Sequence, residues 1–434
     1  MGRQAMRFSG AQDSWMGIVE QCFRCEAGAA APVPAETMDL IQEGILDSMG
    51  WVSFLRAVET ASGVSDLGFA LNERPASLGA VLEALSESRN KESPSSEGLG
   101  TTSVPLQPGV GALIASSSSA PGSRLIPSEE VDGAFGMPSG KLRERAGIES
   151  LTYAANGEDE LTLGARAAGE ALRAASCGAN QLDWVLATSE THHRYPSLAA
   201  QLHSRLLARE NCGALDVGGG CLGLLNALAV ARSLIGGGQA RNIAVVTADV
   251  HSRVLTPGRV AGEFGGLFGD GASAFLVRGA NGANSSPEYR LGEFLFGCAG
   301  QYAAAIQVAA NKERGLDVAF DGEALSRAAI ARLEKLIGAL ELRSGIARAS
   351  VGAFATHQPN PRLLVLLARQ CGVSQDAFPA ISRRTGNLGS SMCGAALHAA
   401  LQEEAKLASG QRKPIFVASL GPGLLFGGTW LTPV

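Results

Sequence analysis

With 434 residues, 46% of them hydrophobic and 18% charged, the chain is too long for one ordinary core, and two or three folding units are expected. A formal net charge of −5, with no long stretch of one sign, leaves no footprint for nucleic acid or an anionic membrane. Eight Cys spread from residue 22 to residue 393 do not form a disulfide framework, so reduced thiols in a cytoplasmic, soluble protein are expected.

The first residues, MGRQAMRFSGAQDSWMGIVEQC, lack the apolar core of a secretory signal, and no later run has the ~18 uncharged apolar residues of a spanning helix. Cys22 and Cys25 make a lone CxxC with no second pair or nearby His, so no metal site is expected. Ser14–Cys22 reads as a short, weak first helix, followed by AGAAAPVPAE.

The run Glu43 to Gly50, EGILDSMG, is followed by WVSFLRAVETASGV, where Trp51, Leu55 and Val58 recur at i, i+4 and i+7, one face of a helix. Asp47 and Ser48 therefore stand at its N-terminus, where the dipole and exposed N–H groups favour a phosphate. Either residue would also serve simply as a cap. The whole run resembles acyl carrier and related carrier domains. That resemblance implies a small all-α carrier bundle over about residues 12–85, with 4′-phosphopantetheine carried on Ser48 and a phosphopantetheinyl transferase as partner.

From Ser86 to Gly109, SESRNKESPSSEGLGTTSVPLQPG, apolar periodicity stops and Ser, Pro and Gly take over, as in a flexible linker. Residues 110–434 then alternate apolar strand-like runs (Trp184–Thr188, Ile243–Thr247, Ala272–Val277, Pro414–Ser419) with Ala- and Leu-rich helical runs such as Leu161–Ala175 and Leu222–Leu234. This alternation predicts a layered, largely parallel α/β sheet. Two halves, about 110–280 and 290–434, each show the pattern.

Three local patterns bear on chemistry. Leu215 to Leu225, LDVGGGCLGLL, runs three glycines into Cys221 ahead of a long apolar helix, where the dipole would favour a thiolate; the plain alternative is a small buried hydrophobe. Ala355 to Arg362, ATHQPNPR, places His357 at a strand end, although a lone His is commonly structural. Arg384 to Met392, RTGNLGSSM, would present the Asn387 amide as a donor, or use it merely as a turn former. Glu190, His192 and His193, in ATSETHHRYPS, are candidates for an extra base, with surface histidines as the plainer explanation.

Taken in the order Cys, His, Asn, with Phe268 to Ala272 (FGDGA) between the first two, KLRERAGI at 141–148 and SLGPGLLFG at 419–427, residues from about Gly111 to Trp430 resemble the β-ketoacyl-carrier-protein synthase III branch of the thiolase superfamily. The resemblance implies a five-layer αβαβα domain, usually a homodimer. It also implies an acyltransferase that loads Cys221 from an acyl thioester of a carrier protein or coenzyme A, then condenses that acyl group with a malonyl-type thioester in fatty acid or polyketide biosynthesis. His357 and Asn387 would stabilise the enolate, and the backbone N–H groups of Cys221 and Gly423 would form the oxyanion hole. Arg145 and Arg253 match basic positions near the entrance, whereas Lys141 stands where relatives that use coenzyme A carry a Trp. Acyl transfer to an alcohol, an amine or a carrier without C–C bond formation is the alternative, and a non-catalytic carrier-presenting scaffold the third reading.

Overall fold

The computed structural model describes residues 13–29, 31–64, 67, 71, 74–90, 111–280, 288–311 and 315–434. They fall into two compact units, one from the chain up to residue 100 with residues 321–329, the other from residues 101–320 and 330–434.

In the first unit three helices, α1 (Asp13–Ala27), α2 (Ser48–Ser62) and α3 (Leu78–Asn90), share one apolar core. The face predicted for α2 is the face that packs: Trp51, Leu55 and Val58 are all buried, and Phe54 meets the Phe23 ring edge-on at 6.3 Å. Asp47 caps α2 by accepting from Gly50 N at 2.7 Å, and Gly63 closes it in the left-handed conformation at φ 74°. Helix α1 runs to Ala27, past the Cys22 limit read from sequence, because Phe23 extends its buried face. Helix α3 likewise continues beyond Ser86 to Asn90, and residues 91–109 of the expected linker lie outside the described residues.

The second unit is built on strands β1 (Ala112–Pro121), β2 (Arg124–Pro127), β3 (Ser150–Tyr153), β4 (Trp184–Thr188), β5 (Gly213–Asp216), β6 (Asn242–Val250), β7 (Asp270–Gly279), β8 (Tyr289–Leu291), β9 (Leu295–Cys298), β10 (Ile306–Asn311), β11 (Gly315–Phe320), β12 (Ala353–Thr356), β13 (Ile415–Gly421) and β14 (Leu425–Pro433). Its main ladder has the order β12-β13-β14-β8-β1-β7-β6-β4-β5, with β9 added on β14. The strand plan occurs twice. β4 is parallel to β6, which is antiparallel to β7 and through it to β1; β12 is parallel to β13, which is antiparallel to β14 and through it to β8. Within the main ladder, among the described residues, the halves are joined where β1 pairs β8 at Leu113 and Ile114.

The sheet is therefore mixed, not largely parallel as the alternating pattern suggested. The cause is visible at β13, which reaches β14 through the short turn Pro422–Leu424: so short a connection joins only antiparallel neighbours, whereas parallel ones need a crossover.

Period-two alternation then sorts side chains into layers. On one face of the first half, Val185, Ala187, Val246 and Leu276 pack under α4 (Glu160–Ala174) and α5 (Leu198–Leu206). On the other face, Leu186, Val245, Phe275 and Val277 share a core with two buried helices, α6 (Gly223–Gly236) and α7 (Met392–Ala405), and with Ala355, Ile415, Val417 and Leu431 of the second half. Helix α8 (Gly322–Ser344) belongs to this unit from residue 330 on, and there Leu336 and Leu340 lie over Gly428 on the far face of that half. The succession is helix, sheet, helix pair, sheet, helix. Cys221, His357 and Asn387 all stand at strand or helix ends around the central helix pair.

Candidate active site

Cys221 lies on the tight turn Gly220–Leu222 that opens α6. The turn needs its glycines: Gly220 has φ 55°, and a Cβ there would press on the ring of Pro422. The Cys221 carbonyl accepts from Ser419 Oγ at 2.7 Å, and the next residue back on β13, Ala418, accepts the His357 N–H at 3.1 Å. One strand thus holds both the thiol turn and the imidazole.

His357 follows β12 and is buried, with Nδ1 lacking a hydrogen-bond partner among the described residues. Gln358 beside it is anchored through Oε1, which accepts from Ile381 N at 3.0 Å, and through Nε2, which donates to Pro379. Burial pushes the His357 imidazole down to about 4, so at neutral pH it is an uncharged donor.

Asn387 is tied on both backbone sides, donating to Leu267 O at 2.8 Å and accepting from Gly269 N at 2.9 Å. Its Oδ1 accepts from Gly389 N at 3.0 Å, which leaves the amide N–H groups as the donating end. Gly389, at φ 58°, sits so close to the His251 ring that any Cβ would collide with it.

His251 itself, with Asp249 two residues earlier, is the part of the site that sequence reasoning missed; both come from the end of β6. His251 Nε2 lies 3.4 Å from Glu190 Oε2, and its ring stacks obliquely on Phe268 at 4.6 Å. Asp249 accepts from Glu190 N at 2.5 Å and from Ser390 Oγ at 2.6 Å. Burial opposes charge on His251, but the Glu190 hydrogen bond and the Asp249 charge outweigh it and push the imidazole up to about 9. Burial likewise opposes charge on Glu190, and the His251 hydrogen bond and charge hold it below the usual carboxylate range. Burial pushes Asp249 up to about 6.

Cys221 departs from the expectation of a dipole-favoured thiolate. Burial, followed by the charge of Glu190, pushes the thiol well above its usual range, and both outweigh a helix terminus.

A cavity of about 840 Å³ opens over Cys221. Ser189, Glu190, Thr191, His193, His251 and Arg259 line it with Cys221, and an apolar wall comes from Val254, Leu255, Phe264, Phe268 and the hairpin residues Ile306, Val308 and Leu316. His357 and Asn387 are not among its lining residues; they belong to the same centre through Glu190 and His251, whose charges act on His357, and through Gly389 against His251. Neither Arg145 nor Arg253 lines the cavity: both are exposed, and Arg253 donates to Ala155 O at 2.9 Å. Lys141 is paired with Glu263. His192 is tied to Gln201 at 2.9 Å. Pro422 adjoins Gly220 and lines the cavity, followed by Gly423 at φ 76°. Ser48 belongs to the first unit, as the opening residue of α2.

The two histidines predict opposite pH responses. His251 is raised from about 6.5 to about 9, so its contribution is full below about pH 6.5 and is lost as pH rises through 9; on the order of 3 kcal/mol is involved. His357 is depressed to about 4, so its neutral burial costs stability increasingly as pH falls from 6.5 to 4. In urea titrations the stability lost on His251→Gln is expected to be largest below pH 6.5 and to vanish near pH 9.5; a difference constant across that range would contradict the imidazolium assignment.

Residues 215–300 match the family model described as 3-oxoacyl-[acyl-carrier-protein (ACP)] synthase III, and residues 342–432 match that of its C-terminal part. The β-ketoacyl-[acyl-carrier-protein] synthase III of Rhodobacter capsulatus is 29% identical over 315 residues, covering 70% of this chain and 93% of that protein. The enzyme of the same name from Haemophilus ducreyi is 29% identical over 266 residues, 60% of this chain and 80% of its own. Among solved structures, the priming β-ketosynthase of the R1128 polyketide pathway superposes with TM-score 0.66 at 23% identity, covering 76% of this chain and 98% of its own. The 3-oxoacyl-[acyl-carrier-protein] synthase III of Aquifex aeolicus gives 0.65 at 23%, covering 74% and 99%. At these identities the superpositions show a shared thiolase-like fold.

Proposed function

We propose that this chain, whose larger unit is a 3-oxoacyl-carrier-protein synthase III-like condensing enzyme of thiolase-like fold, accepts an acyl group on Cys221 and extends it by decarboxylative condensation with a malonyl-type thioester. The observation that supports the reading is that β13 holds both the Cys221 turn and His357, through Ser419 and Ala418, while Asn387 joins the same centre through Gly389 against His251. His357 is neutral through burial, and the Asn387 amide turns its oxygen to Gly389 N–H, which leaves its NH₂ as the donating end. Loss of carbon dioxide from a malonyl thioester leaves an enolate oxygen whose negative charge two fixed donors stabilise, while its carbon attacks the acyl-Cys carbonyl.

In the first step the Cys221 sulfur attacks the donor thioester and the donor thiol departs. The Cys221 N–H, and by family likeness that of Gly423, face the developing oxyanion. The apolar walls from Val254 to Leu316 suit a hydrocarbon acyl chain.

Ser48 is the residue that would hold a phosphopantetheine arm. Ser48 is the first residue of α2, directly after the N-cap Asp47, so a phosphodiester on it would stand at a helix N-terminus. When bound, such a group supplies a mobile thiol that carries acyl units as thioesters. Covalent linkage of that unit to the synthase raises its effective concentration at the synthase mouth.

Incubation of the full chain with hexanoyl-N-acetylcysteamine and ¹⁴C-carboxyl-labelled malonyl-carrier protein is expected to release labelled carbon dioxide and give a product extended by two carbons. Transfer of hexanoate without gas release would replace this reading with plain acyl transfer.

A further inference from the structure

We infer that Glu190 is the proton acceptor of Cys221 in the acyl-loading step, a catalytic residue outside the Cys221, His357 and Asn387 set. The inference rests on the reading of Cys221 as the acyl acceptor and deepens it by assigning the base.

The geometry is specific to this pocket. Glu190 follows β4, and its backbone is fixed by Asp249 Oδ1 at 2.5 Å. One carboxylate oxygen, Oε2, faces His251 Nε2 at 3.4 Å. The other, Oε1, is buried and has no hydrogen bond of ordinary geometry among the described residues, and it lies on the side of Gly220, where a Cβ would stand 3.8 Å from it. Glu190 and Cys221 line the same cavity, and the carboxylate acts on the sulfur, its charge holding Cys221 in the thiol form. A buried acceptor with an open lone pair, in the same cavity as the Cys221 thiol, is poised to take its proton.

Electrostatics explains why a base is needed. The resting sulfur is held as a thiol by burial and by Glu190 itself, so a thiolate does not stand ready for attack. The groups facing Glu190 are Cys221, His251, Asp249 through the backbone and, by its field, His357; Arg259 and His193 line the same cavity. His251 keeps the carboxylate ionised and so available as acceptor.

The step balances without any other reactant. As Sγ bonds to the thioester carbonyl carbon, the S–H proton passes to Glu190; as the C–S bond of the donor breaks, the proton moves from Glu190 to the departing thiolate. An acyl-Cys221, a free thiol and an ionised Glu190 result.

The test measures two reactions of Cys221 across pH 6 to 10 in the full chain. Acylation by hexanoyl-N-acetylcysteamine is read by intact mass, and alkylation by iodoacetamide by peptide mass. Glu190→Gln removes the acceptor and a negative charge together. Acylation at pH 7 is expected to fall about 100-fold, while alkylation rises several-fold because thiolate forms more readily. Acylation by the variant should then climb with pH as hydroxide replaces the base, and Glu190→Asp should restore part of the loss at pH 7. Acylation unchanged or faster in Glu190→Gln would overturn the inference, and so would parallel loss of both reactions, the sign of a merely structural residue. A wild-type chain that iodoacetamide alkylates at Cys221 but the thioester never acylates would overturn the underlying reading itself.

Discussion

Cys221→Ala is expected to remove the covalent acyl adduct entirely and to cut condensation by at least about 10³-fold, in keeping with the loss seen when an enzymatic nucleophile is deleted. Among the described residues no other Cys lines the cavity. Cys393 is fully buried, with Sγ 3.8 Å from Ala355 O, and Cys298 is exposed, with Sγ turned to Gly423 O at 3.7 Å. A serine at 221 preserves size but offers a far weaker nucleophile, so it should match the alanine variant within about tenfold. Intact mass after incubation with hexanoyl-N-acetylcysteamine settles the point, and an undiminished adduct on the larger unit of Cys221→Ala would remove Cys221 from its role.

His357→Ala and Asn387→Ala are expected to lower condensation by about 10² to 10³ each while leaving the formation of acyl-Cys221 within about tenfold of the parent. One well-placed donor to a developing oxyanion is worth roughly that factor. On the proposed mechanism both donors would face charge that appears only when the malonyl unit loses carbon dioxide, so their loss should fall on the second step and not on loading. The double variant should lose less than the product of the single losses, since the two donors serve one oxygen. Single-turnover measurements beginning from isolated acyl-enzyme, with carbon dioxide as readout, separate the steps. Equal losses in loading and condensation would assign the pair to the thioester carbonyl instead of the enolate.

Much of this architecture was legible from local pattern. The strand Trp184–Thr188 has the same limits in the structure, and the helix after Cys221 begins within one residue of its expected start, because short apolar runs and Gly-bounded helices are set by nearby residues. The i, i+4, i+7 face of α2 is likewise a local property. Strand direction was not legible, since an apolar run reads the same whether its neighbour is parallel or antiparallel. The hairpin of β10 and β11 also escaped notice, although Ile306 and Val308 on one strand and Leu316 and Val318 on the other recur at every second residue; Ile306, Val308 and Leu316 form one wall of the cavity.

The amino-acid sequence by itself determined which residues have the chemistry for thioester transfer: a thiol after three glycines, an imidazole at a strand end and a carboxamide in a Gly/Ser turn, each set by immediate neighbours. Only the tertiary structure decided their charge states, because those depend on groups distant in sequence. Burial makes the His357 imidazole neutral, whereas the Glu190 hydrogen bond and the Asp249 charge make His251 cationic against its burial. Protonation follows from desolvation and from charges a few ångströms away, and both exist only once the two halves of the sheet have closed around α6 and α7.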